Sequence, residues 1–128
     1  MDTTKRAPRI LIIDDDPFIA DVYVIKFKDE GFEVASAHNG KDGLKKVKEF
    51  DPDIILMDVV MPDMDGFQIL EELKKETGKP QKIIMLTNLG QKEDVDRGMG
   101  LGAMDYMVKA HFTPSEVVEH ARKLLARQ

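Results

Sequence analysis

Residues 54–66 read Ile-Ile-Leu-Met-Asp-Val-Val-Met-Pro-Asp-Met-Asp-Gly. Four apolar residues in a row, Ile54, Ile55, Leu56 and Met57, suit a strand buried on both faces, as the strands of a parallel sheet are. The run stops at a carboxylate, Asp58, which therefore lands where the strand meets a loop. Pro62 has no N–H to give a ladder, so the strand cannot continue past it. Asp65 is placed to cap a following helix, with Gln68 three residues on as its reciprocal partner. The order is strand, acid, tight loop, helix. Alone, Asp58 reads equally well as a solvated loop residue.

The same grammar repeats on both sides. Upstream, residues 10–13 are Ile-Leu-Ile-Ile and end at Asp14, Asp15 and Asp16, with Pro17 suited to the first turn of a helix. Ile19, Val22, Tyr23 and Phe27 recur at helical spacing, and Gly31 is a C-terminal stop. Residues 32–37 alternate enough for a second, less buried strand. Asn39 can cap a short helix whose apolar side is Leu44 and Val47, ending near Asp51 and Pro52.

Downstream, the helix expected over 65–76 shows Phe67, Leu70 and Leu73 on one face, and Gly78 and Pro80 break it. Residues 83–86 form a third apolar run, ending at Thr87. A weak helix over 91–101 contains Gly98 and Gly100, each costing roughly 1 kcal/mol relative to Ala. A fifth strand over 103–108 stops at Lys109. The last helix opens on a capping box, Thr113 with Glu116, and has Pro114 at its first position. Its buried side is Val117, Val118, Ala121, Leu124 and Leu125. Residues 1–8 read as a flexible leader and 9–127 as one domain. Five strands alternating with five helices imply an α/β fold: a five-stranded parallel sheet, doubly wound, with helices on both faces. Ligands of such sheets sit beyond the carboxyl ends of the strands.

Composition narrows the function. At 128 residues the chain can bury one core unaided, and with no Cys it has neither a disulfide scaffold nor a thiolate zinc site. No apolar run approaches the ~18 residues of a membrane span, and residues 1–8 lack a signal-peptide core, so the expected place is the cytoplasm, with no membrane partner. A net charge of −5 argues against nucleic acid as a direct partner. Arg122, Lys123 and Arg127 read as complements of the last helix's dipole. His38, His111 and His120 are scattered and read as surface residues.

The polar residues then line up. Asp14 and Asp15 follow the first strand, Asp58 the third, Thr87 the fourth and Lys109 the fifth, so all gather at one edge of the sheet. Carboxylates so close repel each other and need positive charge. Lys109 supplies one, and a hard divalent cation with oxygen ligands, Mg²⁺, is the natural second. Carboxylate, cation, ammonium and hydroxyl together describe phosphoryl transfer.

These motifs carry a resemblance over about residues 9–127. Ile13-Asp14-Asp15-Asp16-Pro17, the stretch 58–66, Leu86-Thr87, and Gly102-Ala103-Met104-Asp105-Tyr106-Met107-Val108-Lys109 resemble the receiver domain of two-component response regulators, a flavodoxin-like fold. The resemblance implies Asp58 as phosphoacceptor, with Asp15, Asp58 and the backbone carbonyl of Val60 binding Mg²⁺ and Asp14 supporting it largely through water. Asp16 is a peripheral neighbour. Thr87 and Tyr106 look like the switch pair, and Lys109 would bind a phosphoryl oxygen. Val60 and Leu89, two positions after Asp58 and Thr87, flank the approach of hydrolytic water. The donor implied is a histidine kinase or a phosphotransfer protein. The protein would be a signalling phosphoacceptor that catalyses its own phosphorylation and dephosphorylation, with no diffusible product. It would act as a monomer, or a dimer once phosphorylated, with a downstream protein docking near residues 91–127.

Two positions depart from the family pattern, Ala110 where proline is usual and Asn88 where a small residue is usual. A non-proline cis peptide costs about 3 kcal/mol, so the Lys109–Ala110 bond is expected to be trans, with Lys109 seated less tightly on the acids. Two other readings compete. A receiver-like module working without phosphorylation sits poorly with the intact set Asp14, Asp15, Asp58, Thr87 and Lys109. A haloacid dehalogenase-type phosphatase would use the Asp-x-Asp spacing at Asp14 and Asp16, but Pro17 and Phe18 follow wrongly.

Overall fold

The computed structural model describes residues 6–77 and 81–127. Each apolar run becomes a strand: β1 Arg9–Ile13, β2 Glu33–Ala37, β3 Ile54–Met57, β4 Ile83–Thr87 and β5 Asp105–Val108. They alternate with α1 Pro17–Asp29, α2 Gly40–Phe50, α3 Gly66–Thr77, α4 Lys92–Gly100 and α5 Pro114–Ala126. Every pairing is parallel, in the order β2-β1-β3-β4-β5. The winding reverses at β1, so the loops leaving β1 and β3 part and leave a crevice at the carboxyl edge.

The pleat divides the core in two. Ile10, Ile12, Leu56 and Leu86 pack with Ala20, Phe27, Val117 and Ala121 of α1 and α5. Leu11, Ile13, Ile55 and Met57 pack with Val47, Phe67, Leu70 and Leu73 of α2 and α3. All of β3 is buried, because a central strand of a two-faced sheet has helices on both sides. Phe27 is wholly buried and meets the Phe32 ring edge-on at 4.9 Å.

Local signals set the helix starts. Thr113 and Glu116 form their capping box, Asn39 caps α2, and Asp65 and Gln68 exchange two bonds of 2.9 Å. Asp16 is more than a neighbour of the acids, since its side chain caps α1 through the N–H groups of Phe18 and Ile19.

Three expectations need correction or fall outside view. Val22, expected inside, is 51% exposed, beside Phe18 and Ile25. Helix α1 is apolar on two sides, and the sheet takes the side of Ala20, Tyr23 and Phe27. Strand β5 begins at Asp105, because the Ala103 N–H turns back to the Gly98 carbonyl to close α4. The expected breakers Gly78 and Pro80, and residues 1–5 of the expected leader, lie outside the described residues. Among the described residues, no helix is long and apolar enough to cross a membrane.

Candidate functional site

Ile13 pairs with Met57 in register, so Asp14 and Asp58 leave adjacent strands side by side. Backbone bonds fix them there: the Asp58 N–H donates to the Ile13 carbonyl at 2.9 Å, and the Asp14 N–H to the Ala37 carbonyl at 3.0 Å. Gly66 brings the chain back against this point. Its N–H donates to the Val59 carbonyl at 2.8 Å, and a Cβ there would stand 2.6 Å from the Asp58 carbonyl oxygen. Backbone cannot yield to that clash, so the position demands glycine.

Asp14, Asp15 and Asp58 bring carboxylate oxygens within 4.8 Å of one another, Asp15 being exposed and the other two buried. Lys109 arrives from the end of β5 and donates to Asp14 Oδ2 at 2.7 Å and Asp58 Oδ2 at 2.8 Å. The remaining oxygens hold their loops: Asp14 Oδ1 accepts the Asp16 N–H at 2.9 Å, and Asp58 Oδ1 the Val60 N–H at 3.3 Å. Burial pushes the Asp14 carboxyl above its ordinary value, against the pull of its bond to Lys109. Burial alone would lower the Lys109 ammonium, but its bonds to the two carboxylates win and raise it. Among the described residues, Lys109 is the one cation bonded to these acids, and the ligand atoms they offer are all oxygen. That set suits a hard divalent cation.

The Lys109–Ala110 peptide is trans, as expected. The looser seat expected for Lys109 is not found. A 3-10 turn, Lys109–His111, follows the strand, and the lysine stem still reaches both acids.

Thr87 ends β4 opposite Val108 and is 1% exposed. Its Oγ1 accepts the Leu89 N–H at 3.3 Å. The Tyr106 hydroxyl donates to the Leu89 carbonyl, so both residues of the expected switch pair bond the same residue. The Tyr106 ring lies on Gly98, where a Cβ would stand 2.9 Å from it. Burial first, then the charges of Asp94 and Asp58, push the Tyr106 hydroxyl up to about 12. Of the two residues expected to govern water, Val60 is exposed and Leu89 half-buried.

Two residues near the site have no local signal in the sequence. His38 donates from Nδ1 to the Asp14 carbonyl at 3.1 Å, since a carbonyl can only accept. Asp63 accepts the N–H groups of Gly40 and Lys41, across 23 and 22 residues of chain.

The profile of the response regulator receiver domain matches residues 10–122. The chain belongs to that family. The receiver is 39% identical over 127 residues to the DNA-binding response regulator MtrA of Mycolicibacterium smegmatis, covering 99% of this chain and 54% of that protein. The DNA-binding dual master transcriptional regulator RpaA of Synechocystis is 38% identical over 121 residues, covering 94% and 50%. Among solved structures, the Francisella response regulator 1452 receiver domain superposes with a TM-score of 0.86 at 30% identity, covering 92% of this chain and 96% of its own. A CheY-like receiver domain protein from Methanospirillum hungatei gives 0.85 at 32%, covering 93% and 94%.

The receiver spans about half the length of the curated relatives it matches. That corrects the reading of partners. The net charge of −5 argues for no direct nucleic-acid contact, yet these relatives are named as DNA-binding. Charge describes only the stretch it is summed over, so the exclusion does not stand.

Proposed function

We propose that this receiver accepts a phosphoryl group on Asp58 and signals through the change of state that follows. The supporting observation is Lys109 Nζ bridging Asp14 and Asp58 at 2.7 and 2.8 Å, with a third carboxylate within reach. The donor is the phosphohistidine of a histidine kinase or a phosphotransfer protein, which goes with a cytoplasmic location.

An Asp58 carboxylate oxygen attacks phosphorus while the P–N bond to the donor imidazole breaks, its electron pair staying on the ring nitrogen. Lys109, already beside Asp58, turns its ammonium to a phosphoryl oxygen. The Thr87 hydroxyl, which accepts the Leu89 N–H, has its own proton to donate to another. Asp14, Asp15, Asp58 and the Val60 carbonyl would hold Mg²⁺, Asp14 largely through water. When bound, the ion supplies charge neutralisation at the transferring oxygens. In the reverse sense, hydrolysis needs a water in line with phosphorus. Val60 and Leu89 offer it no hydrogen bond, so the chain's own catalysis of loss is slow.

Incubation with acetyl phosphate and Mg²⁺, followed by intact-mass measurement, tests this. One added phosphoryl group is expected. A mass that does not change, or a gain that persists without Mg²⁺, would overturn it.

A further inference from the structure

We propose that Asp63 is a positioning residue for the cation site, acting through a brace formed by His38 and the N–H groups of Gly40 and Lys41. The inference rests on the reading of Asp14, Asp15, Asp58 and the Val60 carbonyl as the ligands. Those ligands come from two separate loops, one after β1 and one after β3. His38, Gly40 and Lys41, at the start of α2, touch both loops.

On the β1 side, His38 donates to the Asp14 carbonyl at 3.1 Å. On the β3 side, Asp63 accepts the Gly40 N–H at 2.9 Å on one oxygen and the Lys41 N–H at 3.0 Å on the other. These N–H groups belong to the first turn of α2 and have no partner within their own helix. The positive end of that helix therefore faces a carboxylate. Bonds to those two N–H groups hold the Asp63 carboxyl below its ordinary value. Packing sets the spacing, since a Cβ on Gly40 would meet Met64 Cγ at 2.8 Å.

The loop between is short. Asp58 is anchored by its N–H on the Ile13 carbonyl, and Asp63 is anchored on α2. Val60 lies between these two anchors; its own N–H is held by Asp58 Oδ1 and the Val59 carbonyl by the Gly66 N–H, so the anchor at Asp63 limits the freedom left to the Val60 carbonyl. Without Asp63 the far anchor is lost and the carbonyl has to be ordered when the cation binds. Partners that orient ligands from outside change metal affinity about 10- to 100-fold when removed, and a brace two residues further out belongs at or below the lower end.

The test compares the wild-type chain with D63A, D63N and N39A. Asn39 caps the same helix through the Asp42 N–H but does not touch the loop after β3. Calorimetric titration with Mg²⁺ should show D63A weaker by about three- to tenfold, with D63N between. With acetyl phosphate as donor, the Mg²⁺ concentration for half-maximal phosphorylation should rise by the same factor, while the rate at saturating Mg²⁺ holds within about twofold. N39A should lower the urea midpoint and leave Mg²⁺ affinity unchanged. If D63A does not fold, D63N carries the same readout. Equal affinity in wild type and the Asp63 variants, or an equal loss in N39A, overturns the brace and leaves the cation site standing. A wild-type chain that binds no Mg²⁺ overturns both.

Discussion

Asp53 and Asp58 stand at opposite ends of the same strand, and their surroundings differ. Asp53 accepts the Arg9 N–H at 2.8 Å and is gripped by the Arg6 guanidinium at 2.9 and 3.1 Å. Around it the amino edge of the sheet is charge-matched. Arg9 bonds Glu33 and the Phe50 carbonyl, and Arg122 bonds Glu30 while lying 5.3 Å over the Phe32 ring. Lys82 closes the end of α5 on the carbonyls of Leu124 and Arg127 at 3.0 and 2.8 Å. At the other end, Asp58 shares one lysine with Asp14 and has Asp15 beside it. Matched charge ties helices to strands. Unmatched charge keeps a demand for cations, and that demand is what a reactive site needs.

The largest effect expected from breaking this contrast is on labelling. D58A should take no phosphoryl group from acetyl phosphate while keeping its fold, and D53A should label like wild type. Intact mass and circular dichroism read both. A label retained in D58A would move the acceptor to Asp14 or Asp15.

Next in size is the lifetime of the phosphoryl group. V60N with L89E supplies groups that can orient water, and the loss rate should rise roughly 5- to 30-fold, about 1–2 kcal/mol of barrier. The rate is read by following intact mass after removal of the donor. An unchanged or longer lifetime would mean that water access does not limit the site.

Stability should respond with opposite signs at the two ends. D53A removes the acceptor of a backbone N–H and an ion pair, and is expected to cost about 1–2 kcal/mol. D14N removes the cost of burying a charged carboxylate and is expected to raise the urea midpoint near neutral pH, with Lys109 still held by Asp58. The sign follows from the raised Asp14 carboxyl. Its stabilising contribution is complete below the unfolded value of 3.8 and is lost as pH rises through the folded value. The advantage of D14N should therefore vanish below that pH. Urea midpoints across the range check it, and a gain that persists in acid would contradict the cause.

The smallest effect concerns α4. Gly98 and Gly100 weaken its helix propensity by roughly 2 kcal/mol together relative to Ala, so its amides should exchange faster than those of α5. Equal protection in both helices would count against this.

The fold and the polar cluster at its carboxyl edge were legible because their signals are local. An apolar run followed at once by a polar residue places Asp14, Asp58, Thr87 and Lys109 at one edge whatever the helices do. Caps such as Thr113 with Glu116 lie within one turn. The ties of Asp63, His38, Lys82 and Arg122 were not legible, since each joins residues far apart in the chain. Arg122 reads as a dipole complement, and only the packed structure brings it to Glu30. Val22 was misplaced because α1 offers two apolar sides and periodicity does not say which one meets a sheet. Gly98 reads as a mere weakness in α4, whereas the Tyr106 ring occupies the space a side chain would fill.

Leu89 bonds Thr87 and Tyr106 through its main chain, one through the N–H and the other through the carbonyl. Any residue but proline offers the same two atoms. On the reading in which the Leu89 side chain screens water, how long a signal lasts and how it is relayed are written in different parts of one residue. Substitution at this position can then reset the duration of a response and leave its wiring intact, so related pathways can run on different clocks from a common switch.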